Sequence, residues 1–198
     1  MNAKEPDSNR ARIPYPDLEQ APAAVQALLK ARPPRNVFRM IAHASAFVPG
    51  LMELTGAILY KATLDPRLRE LAILRVGHLC GSIYEVHQHR KIAQAIRVQA
   101  AKITATERDA DPDVYDTREL LVLRMTEQVV RNYRADDELM REAAAQFGYE
   151  QTMELLIIIG TYIMLAAVLE STGVELEAEE GPAQQDVERI FARQIDRK

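Results

Sequence analysis

Apolar side chains recur every three or four residues along most of this chain, and no segment shows the sustained alternation of polar and apolar residues that is typical of a strand. That spacing places the apolar groups on one face of a helix, and the face must be buried against other helices. Proline, glycine and acidic residues interrupt the pattern often, so the helices are many and short. The sequence therefore predicts an all-α fold, a multi-helix bundle.

Composition divides the chain into three parts. Residues 1–16 carry three prolines among polar residues, and we expect them to form a flexible N-terminal arm. The helical pattern fills residues 17–176, which form the predicted domain. Residues 177–198 comprise an acidic linker and a terminal amphipathic helix with Ile190 and Phe191 on its apolar side. We expect that helix to pack on its own chain or, by a slight preference, on a neighbouring subunit.

Charge and hydropathy exclude several classes of function. The formal net charge is −4 and the basic residues form no dense block, so no electrostatic feature favours nucleic acid or an anionic membrane. The most apolar run, residues 155–169, contains Gly160 and Thr161 and is predicted to be a buried helix rather than a membrane span. The polar N-terminus lacks the apolar middle of a signal peptide, so we expect a cytoplasmic protein.

Helix boundary signals are clear at several positions. Asp65 followed by Pro66 is a typical helix start, because the aspartate caps the first turn and proline fits the first helical position. Asp136 is predicted to cap a helix that ends at Gly148, and Gly173 is predicted to end the following, most apolar helix.

A polar stripe interrupts the apolar face of one predicted helix. Glu85 and His89 stand four residues apart and are neighbours on that face, and Ser82 lies two turns before His89. A carboxylate beside an imidazole fixes its tautomer and raises its basicity. A tight connection at Gly81 makes the preceding helix antiparallel and brings Glu70 close. Because buried polar groups are costly unless they are paired or bind a ligand, the stripe predicts a functional site, with a satisfied polar network as the alternative.

Other chemistry-bearing residues are less well placed. Cys80 is the only cysteine, which excludes an intrachain disulfide, a CxxC pair and a multi-cysteine zinc site. It is rotated about 200° from Ser82 on a helix, and we interpret it as a small buried hydrophobe. His87 points away from its neighbours Glu85 and His89, and no paired Glu-x-x-His element occurs, so we predict no metal and no cofactor.

Residues 69–96 read RELAILRVGHLCGSIYEVHQHRKIAQAI and resemble the motif of the carboxymuconolactone decarboxylase and alkyl hydroperoxidase D (AhpD) superfamily. In that motif a glutamate is followed by two cysteines and a histidine. The corresponding positions here are Glu70, Ser82, Glu85 and His89. The resemblance implies an AhpD-like multi-helix bundle that assembles as a homo-oligomer, commonly a trimer or a hexamer. Because both cysteine positions are replaced, the dithiol peroxidase mechanism cannot operate there.

The resemblance therefore favours the decarboxylase branch, which is cofactor-free. It implies a lyase that acts by acid–base chemistry on a small carboxylated compound. In this reading His89 is the general acid or base, Glu85 orients it, Glu70 is a second proton relay, and Ser82 donates a hydrogen bond to the substrate. Tyr84 also matches a common family residue and is a candidate for substrate binding.

Three tyrosines, Tyr60, Tyr84 and Tyr162, are candidates for the lining of a pocket or for the edges of the core. Two alternative functions remain open. One is an AhpD-like thiol peroxidase, with peroxiredoxin-type activity, in which Cys80 is the sole redox residue. The other is a non-catalytic oligomeric binding module.

Overall fold

The computed structural model describes residues 11–31 and 35–177 of the 198-residue chain. Within those residues the protein is all-α, with eight α-helices, two short 3-10 turns and no strand. The predicted terminal helix around Ile190 lies outside the described residues. The helices are α1 (Ala23–Lys30), α2 (Asn36–Ile41), α3 (Val48–Tyr60), α4 (Pro66–Cys80), α5 (Ile83–Ala95), α6 (Ala100–Ala105), α7 (Thr117–Asn132) and α8 (Asp137–Thr172).

Helix boundaries follow local capping. The Asp65 side chain accepts a hydrogen bond from the first turn of α4, and the Asp136 side chain does the same for α8. Gly173 has a φ of 65° and ends α8, since glycine adopts the left-handed region without steric cost. These predicted boundaries are confirmed. Gly148, with φ 75° and ψ 171°, divides α8 into two helical parts.

Helix α4 forms the centre of the bundle. It packs against α5, α7 and α8, and eleven of its fifteen residues are buried. Leu71, Ile73 and Val76 have no exposed surface. A helix surrounded on all sides also carries its polar residues into the interior, and Glu70 and Arg69 are buried with the rest. The location of the candidate site inside the bundle follows from this arrangement.

The turn between α4 and α5 brings these two helices together. Gly81 ends α4 with a φ of 69°. Four residues earlier, Gly77 lies so close to α5 that an added Cβ would stand 2.9 Å from Val86 Cγ2. The absence of a side chain at Gly77 therefore permits the close approach of α5 to α4.

Replacing Gly77 with alanine is expected to lower the free energy of unfolding by about 1–3 kcal/mol, because the new methyl group overpacks this contact. Alanine is a better helix former than glycine by about 1 kcal/mol, which offsets part of the loss. Urea unfolding measures the difference. Gly50→Ala in α3 is the matched control, since a Cβ there meets nothing within 4 Å. Equal effects at the two glycines would contradict the close approach.

The described part of the predicted flexible arm, residues 11–16, lies against the end of α8. The Arg12 backbone N–H donates to the Thr172 carbonyl over 2.7 Å. The Tyr15 hydroxyl donates to Glu175 over 2.7 Å. These residues are therefore attached to the domain, and they also fix the chain segment that follows α8.

The second part of α8 is the most apolar segment of the described chain. An 18-residue window of this helix has a mean hydropathy of 2.1, enough by length and composition to cross a membrane, and half of that window is buried inside the protein. The core helix of a soluble bundle passes the same test. Its exposed side remains apolar at Met153, Ile157 and Met164.

Candidate active site

Glu70 on α4 and His89 on α5 meet inside the bundle. One oxygen of Glu70 lies 2.6 Å from His89 Nδ1, and the other accepts a hydrogen bond from Arg69 Nε over 2.8 Å. Glu70 is 0% exposed and His89 6%. An ionised Glu70 is an acceptor only, so His89 Nδ1 carries the proton of this hydrogen bond. The same hydrogen bond orients the ring so that its other nitrogen, Nε2, faces the second carboxyl group.

The second carboxyl group belongs to Glu85, whose Oε2 lies 3.4 Å from His89 Nε2. Burial raises the pKa of Glu85, against an opposing effect of His89, and the charge of Glu70 raises it further. Burial also acts to raise the pKa of Glu70, but the charges and hydrogen bonds of His89 and Arg69 outweigh it, and the net shift is downward. Glu70 is therefore the ionised partner, and Glu85 is the carboxyl group that retains a proton more readily.

A cavity of about 160 Å³ opens beside His89 and Glu85. The ring of Tyr162 meets that of His89 edge-on, with 4.8 Å between the ring centroids. All three candidate tyrosines lie on the cavity wall. The other lining residues are Arg35, Val37, Phe38, Thr55, Leu59, Gln88, Ile92 and Leu165. A mainly apolar wall with a few convergent polar groups is typical of a small-molecule site.

A carboxylate from the segment after α8 contacts three residues of the cavity wall. One oxygen of Glu177 accepts hydrogen bonds from the Tyr84 hydroxyl over 2.6 Å and from the Asn36 backbone N–H over 2.8 Å. Its other oxygen accepts from Gln88 Nε2 over 2.6 Å and lies 3.6 Å from Arg35 Nη1. The sequence analysis identified only Tyr84 of this group. No local sequence pattern predicts the other contacts, because the residues that donate hydrogen bonds to Glu177 lie 89 to 141 positions away from it in the sequence.

Ser82 does not join the other predicted site residues. The helical spacing predicts it on the face of Glu85 and His89, but it is the residue before α5 and has an extended backbone, with φ −85° and ψ 95°. It lines a separate surface cleft with His78 and Arg90. Its buried hydroxyl has no hydrogen-bond partner among the described residues. The helical face thus begins after Ser82.

Cys80 lies near the end of α4, half-buried against the main core and away from the cavity lining. Burial raises the pKa of its thiol, which disfavours the reactive thiolate. In residues 11–31 and 35–177, no group of three or more His, Cys, Asp and Glu side chains is arranged to hold a metal ion.

Comparison with known proteins places this site within a recognised sequence segment. Residues 46–128, which include Glu70, Glu85 and His89, match the model of the carboxymuconolactone decarboxylase family. A crystal structure from Ralstonia eutropha JMP134, described as an alkylhydroperoxidase AhpD core and an uncharacterized peroxidase-related protein, is similar over 85% of this chain and 93% of that chain. The TM-score is 0.71 at 17% identity, which confirms the predicted AhpD-like fold. A search of curated proteins found no match.

Proposed function

We propose that this chain is a cofactor-independent lyase of the carboxymuconolactone decarboxylase and AhpD-like superfamily, which acts by acid–base chemistry on a small carboxylated compound. One observation carries the proposal. His89 stands between a buried ionised carboxylate, Glu70, and a carboxyl group with a raised pKa, Glu85, on the wall of a cavity. Two carboxyl groups with opposite pKa shifts are typical of sites that move protons.

In the proposed reaction the bond between the substrate carbon and its carboxylate breaks and CO₂ leaves. The electron pair moves into a conjugated carbonyl of the substrate, and the carbon is then protonated. The proton comes from the Glu85–His89 pair on the cavity wall, and water restores it. Glu70 stabilises the His89 cation whenever the ring carries two protons. These roles differ from the sequence-based interpretation, because Glu70 and not Glu85 makes the 2.6 Å bond that orients His89.

Replacing His89 with alanine or glutamine is expected to reduce CO₂ release by about 10²–10⁴-fold, because it breaks the Glu85–His89 pair that protonates the substrate carbon. The assay is CO₂ release from a panel of carboxylated lactones and related unsaturated acids. His87→Gln is the matched control, because it lies on the same helix but lines the surface cleft instead of the cavity. Full activity in both His89 variants would remove the mechanism.

The thiol peroxidase alternative receives no support from the geometry of Cys80. A peroxidatic cysteine needs a stabilised thiolate that the peroxide can reach. Burial raises the pKa of Cys80, and the residue does not line the cavity that His89 and Glu85 share. The position that corresponds to the first family cysteine is Ser82, which has no redox chemistry.

We also propose that the protein forms a homo-oligomer through the exposed apolar side of α8. Met153, Ile157 and Met164 lie on this side and are 44–56% exposed. Burial of such a face at a subunit contact is favourable. Ile157→Glu is expected to shift the species seen by light scattering to a smaller assembly, whereas Tyr133→Glu, at a residue after α7, leaves it unchanged. A wild-type monomer would contradict the proposal.

A further inference from the structure

Glu177 is bound as a carboxylate ligand would be. Both of its oxygens are engaged, one by the Tyr84 hydroxyl and the Asn36 N–H, the other by the Gln88 amide and the nearby Arg35 guanidinium. Burial raises the pKa of Glu177, but the hydrogen bonds from Tyr84 and Asn36 and the charge of Arg35 outweigh it and lower the pKa. The bound group is therefore an anion at neutral pH.

The side chains that hold Glu177 also belong to the cavity. Arg35, Tyr84 and Gln88 all line it, and Gln88 precedes His89 on α5. The Arg35 guanidinium also donates to Gln88 Oε1 over 2.5 Å, which directs the Gln88 amide nitrogen towards the Glu177 carboxylate. An anion bound by these groups therefore contacts the same cavity wall that carries the proton-transfer residues Glu85 and His89.

These donors need an acceptor whenever Glu177 is absent. Tyr84 is 4% exposed and Gln88 9%, so neither is well solvated. A buried donor without a partner lowers stability, because it has lost its hydrogen bonds to water and gained none in return. Glu177 lies on a non-helical segment, two residues after Glu175, which is held by Tyr15, so the Glu177 side chain can turn away without unfolding a helix. The site is thus suited to exchange one carboxylate for another.

We propose that Arg35, Tyr84, Gln88 and the Asn36 N–H form the binding site for the substrate carboxylate, and that Glu177 occupies it as an internal competitor until the substrate displaces it. This inference rests on the proposed function, because it identifies where the carboxylated compound of that reaction is anchored. Competition of this kind lowers the apparent affinity by the fraction of molecules in which the site is open.

Isothermal titration with benzoate tests the site without turnover. Glu177→Ala and the isosteric Glu177→Gln are expected to bind benzoate about tenfold more tightly than the wild type. Benzamide has the same ring and no charge, and its affinity is expected to be the same for the Glu177 variants as for the wild type. Glu175→Gln is the matched control on the same segment, because the Glu175 carboxylate accepts hydrogen bonds from the Tyr15 hydroxyl and the Ala11 N–H.

A second substitution tests whether Arg35 binds the anion. Adding Arg35→Met to Glu177→Ala is expected to abolish the gain in benzoate affinity. Unchanged benzoate affinity in both Glu177 variants, a gain that persists without Arg35, or no benzoate binding in any variant would each overturn the inference. The proposed lyase function fails separately, because a benzoate site without turnover of any carboxylated compound leaves the binding result intact.

Discussion

Glu70→Gln is expected to lower the free energy of unfolding by about 3–5 kcal/mol, because it leaves the charge of Arg69 buried without its carboxylate. Arg69 is 2% exposed and donates to Glu70 over 2.8 Å. Urea unfolding at neutral pH measures the loss. Glu142→Gln is the matched control, since its ion pair with Arg124 is exposed and such pairs contribute about 0–1 kcal/mol.

Two further measurements separate the causes of this loss. The folded pKa of Glu70 is lowered, so the folded protein binds fewer protons than the unfolded chain as the pH falls into the carboxyl range. The stability that Glu70 contributes is therefore present at neutral pH and is lost on acidification, and Glu70→Gln lacks this component. Adding Arg69→Met to Glu70→Gln is expected to recover part of the stability. A loss no larger than that of Glu142→Gln would contradict the buried pair.

The same substitution tests the mechanism. Glutamine keeps the shape of Glu70 but cannot stabilise a charged His89 ring, so turnover is expected to fall by about 10²–10⁴-fold. This loss is to be measured at a temperature and denaturant concentration at which the variant is folded. Wild-type turnover in a folded Glu70→Gln protein would show that His89 works without its charged partner.

Features governed by local rules could be predicted from the sequence. The start of α4 at Asp65 and the end of α8 at Gly173 depend on caps, which act within one turn. The meeting of Glu70 and His89 also followed, because a tight turn at Gly81 leaves one way to pair two adjacent helices. The family motif pointed to the same residues.

Features that depend on distant chain segments could not be predicted. Glu177 lies next to Gln88 only because the segment after α8 returns to α5, and no periodicity encodes that contact. The attachment of residues 11–16 to the end of α8 is of the same kind. Ser82 differs from both groups: it is the N-cap of α5, and the helical periodicity that relates Glu85 to His89 does not extend to its non-helical backbone.

Glu85→Gln is expected to reduce turnover by about 10²–10⁴-fold and to change its pH dependence. The proposed reaction uses the protonated form of Glu85, whose pKa is raised by burial. Wild-type activity should therefore decline as the pH rises through that raised pKa, and the residual activity of Glu85→Gln should lack this decline. Rate–pH profiles of the two proteins measure it.

The pH dependence of stability is an independent measure of the protonation state of Glu85. Because the folded pKa of Glu85 is raised, the folded protein binds more protons than the unfolded chain between the ordinary carboxyl pKa and the raised one. The free energy of unfolding then falls as the pH rises through this window, opposite in sign to the effect of Glu70. Glu85→Gln should remove that fall and become more stable relative to the wild type above the window. If the two proteins instead show parallel pH profiles of unfolding, Glu85 is ionised in the folded state across this pH window. In that case Glu85 cannot be the proton donor.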